Sequence, residues 1–279
     1  MDLYISDLDG TLLNENAKLS NYTIKTINKL IDNGLNFTIA TARAYESAGK
    51  IIKPLNIKLP IILNNGSFVY DLKNKKNILE NYLPNTICKD ILNLLDNYEI
   101  SPFLSCKKCL KKSIEYIDLS LVQEAFVKEH LDKGDERFRK VNKYNLKNKK
   151  IINLFTLGKK EKLEIVNEKL KKFSNSISTN LYYDFYYKTY WLEVRPKNAT
   201  KGNSCIFLKN KYDFEKFHVF GDNLNDISMF KKADKSYAVK NANKTLKKHA
   251  DYIIKENTKD SVARFLNKND NILRTIEKT

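Results

Sequence analysis

Leu3-Tyr4-Ile5-Ser6-Asp7-Leu8-Asp9-Gly10-Thr11 is a short apolar run that breaks directly into two carboxylates, a glycine and a hydroxyl. Residues 2 to 6 read as a strand. Two acids two positions apart, at the end of a hydrophobic strand, repel each other and are costly to place beside a core. That arrangement favours a divalent cation. Gly10 lets the backbone turn sharply, and Thr11 adds a hydroxyl at the turn.

Outward from this strand the chain alternates strand and helix. Ser20 to Gly34 reads as an amphipathic helix with Ser20 at its N-cap, an apolar stripe of Ile24, Ile27, Leu30 and Ile31, and Gly34 closing it. Phe37 to Thr41 is the next strand, a second helix starts near Ala44, and Pro60 to Leu63 is a third strand ending in Asn64-Asn65-Gly66. The same alternation resumes late in the chain. A helix from about Lys201 precedes the strand Phe217 to Phe220, then Gly221-Asp222-Asn223-Leu224-Asn225-Asp226 and another helix. Short strands follow at Ser236 to Val239 and Tyr252 to Ile254, and a last helix begins near Thr258. Alternating strands and helices imply an α/β fold, a Rossmann-like parallel sheet covered on both faces.

Between these halves the pattern changes. A helix (Thr86 to Asn97) precedes strands near Ile100 to Ser105 and Ser113 to Ile117, and a helix at Leu121 to Leu131 follows. Next come a strand at Ile151 to Leu157, a helix from Lys160 to Phe173, and two aromatic-rich strands between Ser176 and Val194. The expected organisation is therefore a parallel-sheet core, 1–83 with 191–279, and an inserted α+β domain, 84–190.

The net charge is +17, from 50 Lys and Arg against 33 Asp and Glu. Only six of the cations are Arg, and the lysines form small scattered clusters, which reads as a solvated surface rather than a specific nucleic-acid site. No stretch approaches the length of apolar sequence that a membrane span needs. Two acids within the first seven residues, and no basic leader, give no reason to expect a signal peptide. Cys88, Cys106, Cys109 and Cys205 are expected as reduced thiols in a cytoplasmic protein. Nothing in the sequence specifies an oligomeric state.

Four polar clusters sit where the expected core strands end: Asp7/Asp9/Thr11, Thr41/Arg43, Asn65/Gly66 and Asp222/Asn225/Asp226. In an open parallel sheet the carboxyl ends of the strands form one rim, so residues far apart in sequence converge there. Lys201, at a helix start, adds a cation and helix N-terminal amides suited to an anion. Carboxylates, a lysine, a hydroxyl and helix N-termini on one rim point to Mg2+ and a phosphoryl group together.

These motifs, in this order, resemble the haloacid dehalogenase-like superfamily of phosphohydrolases, and the layout resembles its Cof-type branch, which carries a large α/β cap between the second and third motifs. The resemblance implies that Asp7 is the nucleophile of a phosphoaspartyl intermediate and that Asp9 protonates the leaving oxygen and then activates water. It implies that Thr41 and Lys201 hold the phosphoryl oxygens. Mg2+ would be held by Asp7, Asp222 and the backbone carbonyl of Asp9, with Asn225 and Asp226 supporting Lys201 or the metal shell. Thr11, Arg43, Asn65, Gly66 and Asn225 are read as substrate-side residues, although Asn65-Gly66 also suits an ordinary turn and Arg43 also suits a helix cap. Members that cleave carbon–halogen or carbon–phosphorus bonds do not keep the second Asp, so Asp9 narrows the expectation to a phosphatase or a phosphomutase of a small phosphorylated metabolite. The cap is expected to close over the site and choose the substrate. A non-catalytic phosphate- or nucleic-acid-binding protein is the reading from another class.

Two positions depart from the usual pattern. Ala42 and Asn198 stand where Gly is frequent; Ala suits a negative φ, and Asn accepts left-handed geometry. Elsewhere, Cys106-x-x-Cys109 has no second pair or nearby His to complete a zinc site and reads as a hairpin with free thiols. His130 and His249 fall on expected helices and His218 in a strand. The run Tyr182, Tyr183, Phe185, Tyr186, Tyr187, Tyr190, Trp191 suits either strand packing or a ring-binding surface. The lysines around Leu110 read as solvated, with the capacity to attract anions.

Overall fold

β1 (Asp2–Ser6) is the strand around which the core is built. The structure is a computed structural model that describes residues 1–109, 111–184 and 186–276, with side chains as far as Lys268. After an irregular turn at Leu8–Leu12, α1 (Asn21–Asp32) begins where the Ser20 side chain accepts a hydrogen bond from the Thr23 amide, and Gly34 closes it with φ of 102°. β2 (Asn36–Ile39), α2 (Tyr45–Ile52) and β3 (Ile61–Leu63) follow, then the hairpin β4 (Phe68–Asp71) and β5 (Lys76–Glu80).

The chain then enters a second compact unit, Asn81–Asn198. It holds α3 (Asn85–Asp96), β6 (Phe103–Lys108), β7 (Lys111–Tyr116), α4 (Leu121–Asp132) and β8 (Phe138–Lys140). β9 (Lys150–Gly158), α5 (Lys160–Leu170), β10 (Ile177–Asp184) and β11 (Thr189–Pro196) complete it. Its sheet runs β10-β11-β9-β6-β7-β8 and is antiparallel except between β7 and β8. Alternation along the strands fills both faces. Leu104, Leu154 and Leu192 pack with α3 and α5, whereas Phe103, Phe155 and Trp191 pack with Phe126 and Val127 of α4.

Back in the first unit, Met1–Glu80 with Ala199–Thr279, come α6 (Lys201–Lys211), β12 (Lys216–Gly221), α7 (Ile227–Phe230) and β13 (Lys235–Val239). α8 (Lys244–Lys247), β14 (Tyr252–Ile254) and α9 (Ser261–Ile276) end the chain. The core sheet is fully parallel in the order β14-β13-β12-β1-β2. A single bridge between Ala40 and Ile62 sets β3 parallel to the end of β2. Leu3, Ile5, Phe217 and Val219 are fully buried, as central strands covered on both faces require.

The inserted unit extends beyond 84–190 at both ends. β11 pairs with β10 along its whole length, Pro196 standing opposite Ile177, so residues 191–196 stay with the inserted sheet. At the other end Leu83 bridges to Ile151. The β4–β5 hairpin and β8 are not among the expected elements. Half-exposed, lysine- and asparagine-rich strands such as Lys76–Glu80 carry little apolar periodicity to betray them. His249 lies in a turn just after α8 rather than on a helix.

Candidate active site

β1 is the point at which the sheet order reverses: β2 lies on one side of it and β12 on the other. A crevice forms at the carboxyl ends of such strands. The Asp7 amide donates to Phe220 O at 2.9 Å and the Thr41 amide to Ile62 O at 2.9 Å, so the ladders deliver both residues to the same rim. At Gly10, with φ of 74°, an added Cβ would stand 2.4 Å from Asp222 Oδ2. Only glycine lets the turn after β1 pass this close to the loop after β12. Thr11 Oγ1 donates to Asp222 Oδ1 at 3.3 Å.

Lys201 is the centre of the cluster. It sits at the start of α6, whose N-cap Thr200 accepts from the Asn203 amide, and its side chain is fully buried. Nζ donates to Asp7 Oδ1 at 2.5 Å and to Asp226 Oδ1 at 2.6 Å. The second oxygen of Asp226 accepts from the amides of Asp222 (2.9 Å) and Asn223 (3.0 Å), so one carboxylate fixes both the lysine and the loop that carries Asp222. Gly202 allows the close approach: a Cβ there would lie 2.0 Å from Ser228 O.

Burial pushes the Asp7 carboxyl well above its ordinary range; Lys201 opposes the rise, and the charges of Asp226 and Asp222 add to it. Burial, then the charge of Asp226, pushes Asp222 up to about 7. Burial works to lower Lys201, but the charges of Asp226 and Asp7 outweigh it and hold the ammonium above its usual range. Carboxylate oxygens of Asp7, Asp222 and Asp226 come within 4.8 Å of one another. Three acids against one lysine leave excess negative charge in a buried place, and the raised Asp7 and Asp222 show its cost. That is a donor set into which a hard divalent cation fits.

The remaining expected residues surround this centre. Thr41 is fully buried and its Oγ1 accepts from the Arg43 amide at 3.1 Å. Arg43 grips Asp9 through Nε (2.7 Å) and Nη2 (2.6 Å), so the Asp9 side chain is engaged here and lies outside the Asp7–Asp222–Asp226 cluster. Asn65, with φ of 55°, accepts from Asn225 Nδ2 at 2.9 Å. A Cβ on Gly66 would fall 2.2 Å from Thr200 O, and Ser204 Oγ donates to Gly66 O, so this turn is seated against the start of α6. Sequence reasoning missed Asn241, whose side chain donates to Gly10 O at 2.8 Å, Asn243, whose amide donates to Asp222 O at 2.7 Å, and Ser47 beside Arg43. The first two act on backbone, which leaves no trace in residue type.

Ala42 keeps a negative φ, and Asn198 also avoids the left-handed region open to it. Cys106 and Cys109 belong to the β6–β7 hairpin, one buried and one exposed, both free. His130 lies on α4, and His218 in β12 pairs with Asp2 at 2.8 Å and stacks on Tyr4. Trp191 stacks on Phe155 with ring centres 5.1 Å apart, a packing role. Phe185 and Leu110 lie outside the described residues. Among the described residues no helix is long and apolar enough to cross a membrane.

Comparison with known proteins gives a consistent result. The family described as haloacid dehalogenase-like hydrolase matches residues 4–266. A Buchnera aphidicola (subsp. Baizongia pistaciae) protein, provisionally named a phosphatase, is 31% identical over 94% of this chain and 96% of its own length. The 5-amino-6-(5-phospho-D-ribitylamino)uracil phosphatase YwtE of Bacillus subtilis is 25% identical over 93% of this chain and 95% of that protein. The fold matches a crystal structure of a haloacid dehalogenase-like hydrolase from Bacteroides thetaiotaomicron with a TM-score of 0.76 and 24% identity, covering 96% of this chain and 98% of that one.

Proposed function

The chain belongs to the haloacid dehalogenase-like hydrolases and is a phosphoric monoester hydrolase, and on that premise we propose that it is a Mg2+-dependent phosphatase of small phosphorylated metabolites acting through a phosphoaspartate at Asp7. The observation that carries this reading is the buried contact of Lys201 with Asp7 and Asp226, beside Asp222, at the carboxyl ends of β1 and β12.

Asp7 attacks phosphorus in line, so an Asp7 O–P bond forms as the P–O bond to the leaving alcohol breaks. Asp9, which enters this step carrying a proton taken up from water, gives it to that oxygen, because an alkoxide is a poor leaving group without one. Asp9 then takes a proton from water, whose oxygen attacks phosphorus and releases Asp7 and inorganic phosphate. Thr41 and Lys201 hold the phosphoryl oxygens, and Lys201 also lessens the repulsion between the carboxylate and the phosphate dianion. Asp7, Asp222 and the Asp9 carbonyl would hold the metal, with Asp226 fixing the loop beneath. When bound there, Mg2+ supplies further neutralisation of the phosphate. Both oxygens of Asp226 are already occupied by Lys201 and backbone amides, which favours that supporting role.

Sugar phosphates and phosphorylated cofactors are the substrate class; a relative named for a phosphoribityl substrate supports it. Four free cysteines support a cytoplasmic setting. The test is phosphate release from a panel of phosphomonoesters with Mg2+. Turnover is expected on several, abolished by chelation, and reduced at least about 10^3-fold in Asp7→Asn. No turnover across the panel, or full activity in Asp7→Asn, would overturn the reading.

A further inference from the structure

Arg43 makes more contacts than a surface arginine needs. Its Nε and Nη2 take both oxygens of Asp9, its Nη1 donates to Ser47 Oγ on α2 at 2.8 Å, and its amide donates to Thr41 Oγ1. The guanidinium is thus tied to the rim from two sides, through Asp9 and through α2. It also lies close enough to Asp7 to feel its charge: the hydrogen bonds to Asp9, then the charges of Asp9 and Asp7, hold it above its ordinary range against the effect of burial. Unlike the buried Lys201, this pair meets water. The Arg43 and Asp9 side chains are 28% and 47% exposed.

A carboxylate gripped at both oxygens in the plane of the fork is aimed at Arg43, and it must turn away before it can serve a leaving group or a water. The fork that grips it, however, fits a phosphate as well as a carboxylate. A phosphate dianion brings twice the charge of a single carboxylate. An exposed pair of this kind is weak enough to exchange, a factor of about five in an equilibrium. We propose that Arg43 is a positioning residue that acts as a latch: it holds Asp9 in the resting enzyme and surrenders it when the phosphate of an arriving substrate takes the guanidinium. The inference rests on the proposed function, in that Asp9 must be free to act and the ligand must carry phosphate. It adds a device by which the substrate itself releases Asp9.

The latch makes Asp9 and phosphate competitors for one cation, which a binding cycle can read without turnover. Orthophosphate is titrated calorimetrically, with Mg2+ present, into the wild type, Asp9→Asn, Arg43→Ala and the double variant. Asp9→Asn is expected to tighten orthophosphate about fivefold where Arg43 is present, and by less than about twofold in the Arg43→Ala background. Equal tightening in both backgrounds would mean that Asp9 acts only as a repelling charge, and the latch would be wrong. Arg43→Lys keeps the charge but loses the fork, so the Asp9→Asn effect should shrink there too; full tightening with lysine overturns the proposed geometry. If none of the proteins binds orthophosphate, the phosphate-site reading itself falls and takes the latch with it, an outcome distinct from binding without coupling.

Discussion

Lys201 and Arg43 are both cations paired with aspartates of the same short loop, yet the molecule uses them in opposite ways. Lys201 is fully buried between Asp7 and Asp226, while Arg43 and Asp9 meet solvent at the rim. In the interior an ion pair is fixed, because either partner alone would be a charge removed from water. At the surface water compensates either partner, and the pair can open at small cost. One carboxylate of Asp7-Leu8-Asp9 is thereby held rigidly beside the acidic cluster, and the other is left able to change partners.

Breaking the buried side should have the largest effect. Lys201→Met leaves Asp7 and Asp226 buried with no cation, and removing one partner of a buried pair costs about 3–5 kcal/mol. Urea denaturation without metal should show a loss of that size, and phosphate release should vanish. Unchanged stability would mean that the acids relax to solvent, and that the contrast with Arg43 is false.

Titration sharpens the same contrast. Asp222 has an ordinary value of 3.8 and sits at about 7 in the folded, metal-free protein. Between those values the folded state binds more protons than the unfolded chain, so stability falls as pH rises through that window. The loss should be about 2 kcal/mol once coupling to its neighbours is discounted. Mg2+ competes with the proton for the same carboxylate, so its stabilising effect should grow over the same window. Thermal melts with and without Mg2+ at stepped pH measure both. A Mg2+ shift that does not depend on pH would remove Asp222 from the metal site.

Gly10→Ala tests how the loop brings the two sides together. The added Cβ meets Asp222 Oδ2 at 2.4 Å, and a φ of 74° is strained for alanine. The backbone strain alone is worth about 1–2 kcal/mol. Mg2+ affinity by calorimetry should drop about tenfold as Asp222 is displaced. Wild-type affinity would show that the loop gives way elsewhere.

Most of the core was legible in the sequence, because each of its parts has a local cause. Alternating apolar strands, the Ser20 cap and the Gly34 stop all act within a few residues. The rim residues were legible for a related reason: Asp7, Thr41, Lys201 and Asp222 each follow a strand or open a helix, and a parallel sheet sends such positions to one edge. What was not legible was pairing. Nothing in Asp9 or Arg43 by itself says that the two grip each other across 34 positions of sequence. Likewise nothing in Pro196 says that β11 runs on beside Ile177 and lengthens the inserted unit. Those facts are made by tertiary geometry, and residue type records them only where the chemistry is as demanding as a buried lysine between two acids.

The smallest expected effect belongs to the exposed pair, and it is diagnostic because it is small. Arg43→Ala removes a fork of two hydrogen bonds and a charge, a change that looks on paper as severe as losing Lys201. Water can solvate Asp9 once the guanidinium is gone, so the cost should be about 0.2–1 kcal/mol, falling further as salt is added. Urea denaturation of Arg43→Ala at low and high ionic strength reads this directly. A loss as large as that of Lys201→Met, insensitive to salt, would show that the Arg43–Asp9 pair is a structural tie, and a tie of that strength could not yield to an arriving phosphate.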